Sequence, residues 1–272
     1  MEIHFVDVGI GNMTIVLMPE GTKLVCDCNI TSDNRQRVMD YAKAVLGRGS
    51  SIDVFINSHR DADHMRGIKI LHGAHPIKTI WDPGVPGTTT DSPEYRDYMD
   101  LRRTVGSKDI EARKFWTYGD AKLRCLNSAW SDYSDPNPQS LVLKIEYAGS
   151  SAMLAGDTDY RPWKEKILTF YDKDSLSSSI LLAAHHGSIT FFDDPADTKQ
   201  YYTAHISAIA PAMTLVSVGP NDFGLPDKKA LELYEKYSSG STQGNKPFTT
   251  QEKGTMRLTL KEDGGWSLST GL

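Results

Sequence analysis

Short apolar runs separated by tight polar turns open the chain. Ile3–Val8, Met13–Met18 and Lys23–Cys28 are divided by Gly9-Ile10-Gly11-Asn12 and Pro19-Glu20-Gly21-Thr22, the pattern of three strands joined by turns. With no helix between them, they are predicted to pair antiparallel. At Asp33–Leu46 the period changes. Val38, Tyr41, Ala42, Val45 and Leu46 fall on one side of a helix, with Thr31, Ser32 or Asp33 as its cap. Ile52–Asn57 is a continuous apolar run of the kind buried on both faces. The polar segment Ser58–His64 comes directly after it, and Met65–Leu71 then reads as helical.

Further strands are predicted at Ile77–Trp81, Lys122–Asn127, Leu141–Tyr147, Ser151–Ala155, Ser179–Ala184 and Met213–Val218. Helices are predicted at Pro93–Arg103, Tyr160–Tyr171, Lys199–Ile209 and Asp227–Tyr237, and residues 83–118 carry the weakest pattern. Met256–Lys261 and Trp266–Ser269 close as a hairpin over Asp263-Gly264-Gly265. There is no repeat, heptad or low-complexity tract. Ser238–Gly244 is the nearest approach to a linker, and it is short. Strands, then helix–strand alternation, then strands again predict an α/β fold. Two mixed sheets would pack together with helices outside, as one domain over residues 1–272.

Composition narrows the classes. The 272 residues are 39% hydrophobic and 24% charged, enough for a substantial core. Thirty Lys and Arg against 35 Asp and Glu give a formal charge of −5. That balance counts against a surface that coats nucleic acid broadly, while leaving room for a local basic groove. No run of about 18 apolar residues is present, so no membrane helix is predicted. The start, Met1 to Asp7, reads as a strand rather than a signal peptide, so the expected location is cytoplasmic. Three cysteines make no disulfide framework and are expected to be buried thiols. Cys26 and Cys28, two apart in a strand, are expected on the same face.

Candidate chemistry concentrates at strand ends. His59, Asp61, Asp63 and His64 are four metal-ligand types within six residues, directly after a buried strand. Asp157 comes after the run ending in Leu154-Ala155-Gly156, where the glycine lets the backbone turn. His185 and His186 close the apolar run Ser179–Ala184. Strand ends of one layer converge in space, so three such endings predict a shared dinuclear metal site. A solvated turn at Ser58–His64, or a buried hydrogen-bonded histidine pair, is the plainer alternative for each segment alone.

As a set, Phe5-Val6-Asp7-Val8-Gly9-x-Gly11, Ser58-His59-x-Asp61-Ala62-Asp63-His64, Ser140-Leu141-Val142-Leu143, Ala155-Gly156-Asp157 and His185-His186-Gly187-Ser188 resemble the metallo-β-lactamase superfamily. Within it the likeness is to the hydrolase domain of ComEC-type DNA-uptake competence proteins and their stand-alone relatives. Val216-Ser217-Val218-Gly219-Pro220-Asn221-Asp222-x-Gly224-x-Pro226 extends the likeness over nearly the whole chain. The resemblance implies an αββα sandwich with two divalent ions, Zn²⁺ or Mn²⁺, at its edge. It puts His59 and Asp61 on the first ion and Asp63 and His64 on the second. Asp157 would bridge them, and one of His185 and His186 would complete the second site. Departures are Ile10 for a usual Gln, Asn12 for a usual Asp, Leu225 for a usual His, and no middle His before Ser140, where Asn137 is the candidate.

The expected activity is that of a metal-dependent hydrolase, foremost a nuclease or phosphodiesterase. Paired cations would share a hydroxide and clamp the attacked oxygen, with Asp157 and Asp63 as the catalytic carboxylates. Single-stranded nucleic acid or another phosphodiester is the expected substrate. Arg60, Arg66, Asn137, Ser188 and Asn221 are the candidate substrate contacts. Lys69, Arg102, Arg103, Lys122 and Arg124 would extend a groove, and Tyr95, Tyr98 or Trp116 would stack on bases. Two alternatives remain: a hydrolase of small esters, lactones or phosphorylated metabolites, and a non-catalytic module, metal-bound or metal-free, that binds a partner.

Overall fold

The computed structural model describes residues 1–193, 200–240 and 246–272. Strands β1 (Glu2–Phe5), β2 (Thr14–Leu17) and β3 (Lys23–Cys26) pair antiparallel in chain order. The two-residue β4 (Cys28–Asn29) lies outside the sheets. β5 (Val54–Ile56), β6 (Ile80–Asp82) and β7 (Ser107–Asp109) then add in parallel beyond β3. A second sheet begins as the antiparallel meander β8 (Lys114–Tyr118), β9 (Ala121–Asn127), β10 (Val142–Tyr147) and β11 (Ser150–Leu154). It continues in parallel with β12 (Ile180–Leu182), β13 (Met213–Val216) and β14 (Phe248–Thr249). The hairpin β15 (Met256–Leu260) and β16 (Trp266–Ser269) returns to the first sheet beside β1.

The layers arise from the alternation of side chains. Ile3, Phe5, Leu24, Leu123, Leu143 and Leu182 point between the sheets and form the central core. The opposite face of the first sheet packs Val25 and Phe55 on helices Arg35–Leu46, Ile68–Ala74 and Pro93–Val105. The opposite face of the second packs Leu181 and Val216 on Trp163, Ile206 and Tyr234. The result is an αββα sandwich. Because β3, β5, β11, β12 and β13 join the parallel or central parts of their sheets, the segments leaving their C-terminal ends meet at one edge. Among the described residues no helix is long and apolar enough to cross a membrane.

Several local expectations are corrected. Cys26 lies in the central core, whereas Cys28 faces the helix layer. Between them Asp27 takes a left-handed φ of 59°, which flips the pleat and ends β3. The helix expected at Met65–Leu71 is two pieces, Ala62–Met65 and Ile68–Ala74, separated by Gly67 at φ 78°. Tyr160–Tyr171 is helical only to Ile167, and its second part, Trp163–Ile167, is a π-turn. In the expected helix Lys199–Ile209, Lys199 lies outside the described residues and the helix runs Ala204–Ile209. Residues 241–244 of the Ser238–Gly244 stretch also lie outside them. The weakly patterned stretch 83–118 holds two strands, β7 and β8, that periodicity did not reveal; the three residues of β7 are all exposed.

Candidate metal centre

Asp27 organises the site from behind. Its left-handed backbone turns the carboxylate toward the segment leaving β5. There it accepts from the Ser58 amide at 2.6 Å and the Ser58 hydroxyl at 2.7 Å. The same carboxylate accepts from His64 Nδ1 at 2.8 Å. A carboxylate on Nδ1 fixes the tautomer and aims Nε2 away from itself. His64 Nε2 accordingly lies 3.2 Å from Asp157 Oδ1. His59 Nδ1 meets the Ser58 hydroxyl at 3.1 Å, which sends its Nε2 to within 3.8 Å of Asp157 Oδ2.

The second sheet supplies the rest. Gly156 has φ 56°, and a Cβ there would stand 2.8 Å from the Ser140 Cβ; only glycine lets Asp157 turn inward at this point. His185 and His186 are both left-handed, at φ 48° and 52°, a costly conformation for residues with a Cβ. That turn directs His186 inward. Its Nδ1 donates to the Ser217 carbonyl at 3.1 Å, and its Nε2 lies 3.2 Å from Asp63 and 3.6 Å from Asp157. His185 stays at the rim, partly exposed, 3.8 Å from Asp157. Of the two histidines, His186 is therefore the one buried in the cluster.

Two overlapping groups result, His59, His64 and Asp157, and Asp63, His64 and His186, each with its ligand atoms within 4.8 Å of one another. Nε2 of His59, His64 and His186 and Oδ1 of Asp157 are buried and make no hydrogen bond. Polar atoms left this way cost free energy unless something else pairs them. They close on a common space, His64 Nε2 and Asp157 Oδ1 being 3.2 Å apart across it. This fits divalent cations bound by imidazole and carboxylate.

The electrostatics agree. Burial opposes ionisation of Asp157, yet His64, His186, His185 and His59 around it hold its carboxyl far below the usual range. Burial likewise opposes the charge on Asp63, and His64 and His186 outweigh it, so Asp63 also stays ionised. For His64, burial is overcome by Asp157, Asp27 and Asp63, which raise it well above an ordinary imidazole; His186 is raised in the same way by Asp157 and Asp63. His59 goes the other way, lowered by burial and by its neighbour His64. The pocket attracts positive charge at its centre.

Several expected residues take other roles. Asp61 stands beside the first group, its Oδ2 3.7 Å from His59 Nε2, while its two oxygens accept from the Thr88 amide at 2.6 Å and the Thr88 hydroxyl at 2.8 Å. Arg60, an expected substrate contact, turns inward. It is buried, with Nε and Nη2 each 3.0 Å from the two oxygens of Asp82. Arg66 is tied to Glu94 at 3.1 Å and to Asn29 at 3.0 Å. Asn221 spends its side chain inside its own loop, with bonds to Gly219, Phe223 and Leu225. The cations expected to extend a groove are engaged by neighbours. Arg102 pairs with Asp82 and Asp109, Arg103 with Asp100, Lys69 with Asp97, and Arg124 with Glu146. Tyr98 is buried on Asp82, Trp116 packs on Trp81, and Lys122 lies over Phe115. Asn137 and Ser188 do line the opening over the cluster, and Asn137 Oδ1 is buried without a partner.

Sequence reasoning missed Asp27, Ser140 and Ser217 as supports. Asp27 did carry a signal, as the lone acid in the apolar run Leu24-Val25-Cys26-Asp27-Cys28. Ser140 and Ser217 lay within stretches that carry the resemblance, but their contacts, a hydroxyl on the Asp157 amide and a backbone carbonyl on His186, were not read from them.

Comparison with known proteins agrees with this architecture. Residues 6–188 match the sequence model of the metallo-beta-lactamase superfamily. The chain is 24% identical over 277 residues to ComE operon protein 3 of Bacillus subtilis (strain 168); the match covers 96% of this chain and 33% of that protein. The chain thus spans about a third of the length of this curated relative. Among solved structures, CmlA, a diiron beta-hydroxylase from Streptomyces venezuelae, superposes with a TM-score of 0.60 at 14% identity, over 95% of this chain and 54% of that one. Zn²⁺-bound PqqB from Methylobacterium extorquens superposes at 0.54 and 10% identity, over 94% and 99%. With its sandwich fold and its imidazole–carboxylate cluster at the sheet edge, the chain belongs to the metallo-beta-lactamase superfamily, whose members are mostly hydrolases.

Proposed function

We propose that the chain is a metal-dependent phosphodiesterase acting through two divalent ions, Zn²⁺ or Mn²⁺. One observation carries the reading: three imidazole Nε2 atoms and a carboxylate oxygen are buried, unpaired and turned to one space. His59, His64 and Asp157 would hold one ion, and Asp63 and His186, with a share of His64 or Asp157, the other. With Asp61 bound to Thr88, the set is three imidazoles and two carboxylates, which suits either metal. Cations held there supply Lewis acidity and make a water acidic enough to act near neutral pH.

The chain's own groups divide the remaining work. Asp157 joins the two sides of the cluster. Asp63 faces the opening and is kept ionised by His64 and His186, so it can orient a water and take its proton. Asn137, at the mouth, can donate its amide to a substrate oxygen. The resemblance to competence-type hydrolase domains supports a phosphodiester. A second reading, a small ester or phosphorylated metabolite, is favoured by the neutralisation of the arginines expected to grip a polyanion, each bound to a carboxylate.

The test is to strip the protein of metal and add back Mn²⁺ or Zn²⁺. Thermal stability and turnover of bis-p-nitrophenyl phosphate, single-stranded DNA, RNA and a carboxylic ester are then measured. The expected result is a rise in melting temperature with added metal and hydrolysis of the diester, both lost in Asp157→Ala. Hydrolysis of the carboxylic ester alone transfers the assignment to the second reading. No stabilisation and no turnover with either metal would overturn both.

A further inference from the structure

Two recesses open from the cluster and share Asn137, Asp157 and His185. They differ in chemistry. The smaller, about 300 Å³, carries Arg161, the one Lys or Arg that lines either recess among the described residues, and pairs it with Asp159 at 2.8 Å and Asp135 at 3.0 Å in the same wall. The larger, about 410 Å³, has an apolar wall of Ile10, Phe223 and Leu225 and no cation. Phe223 is 79% exposed, more than any other large apolar side chain among the described residues.

An exposed phenyl ring is usually mobile, but this one has a fixed mount. Asn221 Oδ1 accepts from the Phe223 and Leu225 amides at 3.0 and 3.1 Å, and Asn221 Nδ2 donates to the Gly219 and Leu225 carbonyls, both at 2.8 Å. The far end of the loop is pinned to the turn that holds His186. The Asp227 amide donates to the Gly187 carbonyl at 3.0 Å, and a Cβ on Gly187 would stand 2.7 Å from Pro226. The backbone that carries the ring is therefore held at a set place relative to the cluster while the ring stays uncovered.

We propose that Phe223 is the platform for an uncharged planar group of the substrate, a nucleobase or an aryl ring, attached to the phosphate that lies at the cluster. This rests on the phosphodiesterase reading and adds an orientation to it. Charge selects the occupant. Asp61, Asp63, Asp157 and Asp227 border the larger recess, so a second phosphate is repelled there, whereas a neutral ring stacks on the phenyl face beside Ile10 and Leu225.

The test measures binding, so it does not depend on turnover. Thymidine 5′-monophosphate and deoxyribose 5-phosphate, which differ by the ring, are titrated calorimetrically into the Mn²⁺-loaded protein. The wild type is expected to bind the nucleotide about tenfold more tightly than the sugar phosphate. Phe223→Ala removes that difference without altering sugar-phosphate affinity or the melting temperature, and Phe223→Trp keeps it. Equal affinity of the wild type for the two compounds, binding of neither, or a difference that survives in Phe223→Ala overturns the proposal. Failure of the parent reading shows separately, as absence of bis-p-nitrophenyl phosphate turnover in the wild type.

Discussion

His59 and Arg60 are neighbours in sequence and enter two different buried charged clusters. Arg60 turns to Asp82, which is fully buried and saturated. Asp82 also accepts from Tyr98 at 2.5 Å, from Arg102 at 2.9 Å and from the Gly84 amide at 2.8 Å. His59 turns to Asp157, where the inward Nε2 atoms and a carboxylate oxygen make no hydrogen bond. Both clusters are rich in charge, and both depress the pKa of a central aspartate. They differ in satisfaction. A cluster whose donors and acceptors cancel holds the chain together, here joining the metal loop, β6 and the helix Pro93–Val105. A cluster that leaves its inner atoms free is arranged for something that arrives later.

The sharpest way to break the comparison is to delete each central carboxylate. Asp82→Ala leaves the Arg60 guanidinium buried without a counterion and is expected to cost about 3–5 kcal/mol in urea unfolding. Asp157→Ala at pH 8 is expected to change the unfolding free energy of the metal-free protein by about 1 kcal/mol or less, since its imidazole neighbours can lose their protons. Turnover and metal uptake should fall about a thousandfold or more in that variant. Were Asp157→Ala to unfold the metal-free protein, or Asp82→Ala to leave it intact, the division into a structural and a functional cluster would be wrong.

A finer test removes one supporting bond from each side. Asp27→Asn takes the carboxylate from His64 Nδ1, so metal affinity should weaken by about 10- to 100-fold. Tyr98→Phe takes one donor from Asp82 and should cost about 1.5–3 kcal/mol of stability. Metal affinity in Tyr98→Phe should equal that of the wild type; calorimetric titration of Zn²⁺ into both variants reads the contrast directly.

The same two clusters explain which features were legible in the sequence. The strand-end positions of His59, Asp157 and His186 were legible because apolar runs of four to six residues capped by ligand-type side chains have few other uses. Side-chain direction inside Ser58–His64 was not legible. A loop has no period, so nothing in the sequence said that His59 points to one cluster and Arg60 to the other. The groove of arginines failed for a related reason: Arg60 and Arg124 each have a carboxylate partner 22 residues away in the chain, Asp82 and Glu146, and only the Arg103–Asp100 pair is local. β7 escaped because a polar edge strand, Ser107-Lys108-Asp109, is exposed at all three positions and shows no alternation. Phe223 escaped because its exposure depends on how Asn221 folds the loop around itself.

The smallest effect concerns a histidine outside both clusters and marks what a carboxylate neighbour contributes. His205 is buried among Phe191, Phe192 and Tyr202, and its Nε2 donates to the Phe191 carbonyl at 2.7 Å. With no acid beside it among the described residues, burial lowers its pKa to about 3, while Asp157 and its fellow carboxylates push His64 and His186 upward. In the unfolded chain His205 returns to its ordinary value, 6.5. Above pH 6.5 the residue is neutral in both states and contributes nothing to the pH dependence. Below it, the unfolded chain takes a proton that the folded chain refuses, so stability declines as pH falls toward 3. At pH 5.5 the loss amounts to about 1.4 kcal/mol. His205→Phe keeps a ring in the cluster and removes the titration. Its unfolding free energy should therefore fall by about 1.4 kcal/mol less than that of the wild type between pH 7.5 and 5.5, whatever offset the lost hydrogen bond adds at both values. Equal slopes in the two proteins would mean that His205 takes up a proton inside the folded chain, and that burial without a counterion is not what separates it from the imidazoles of the metal cluster.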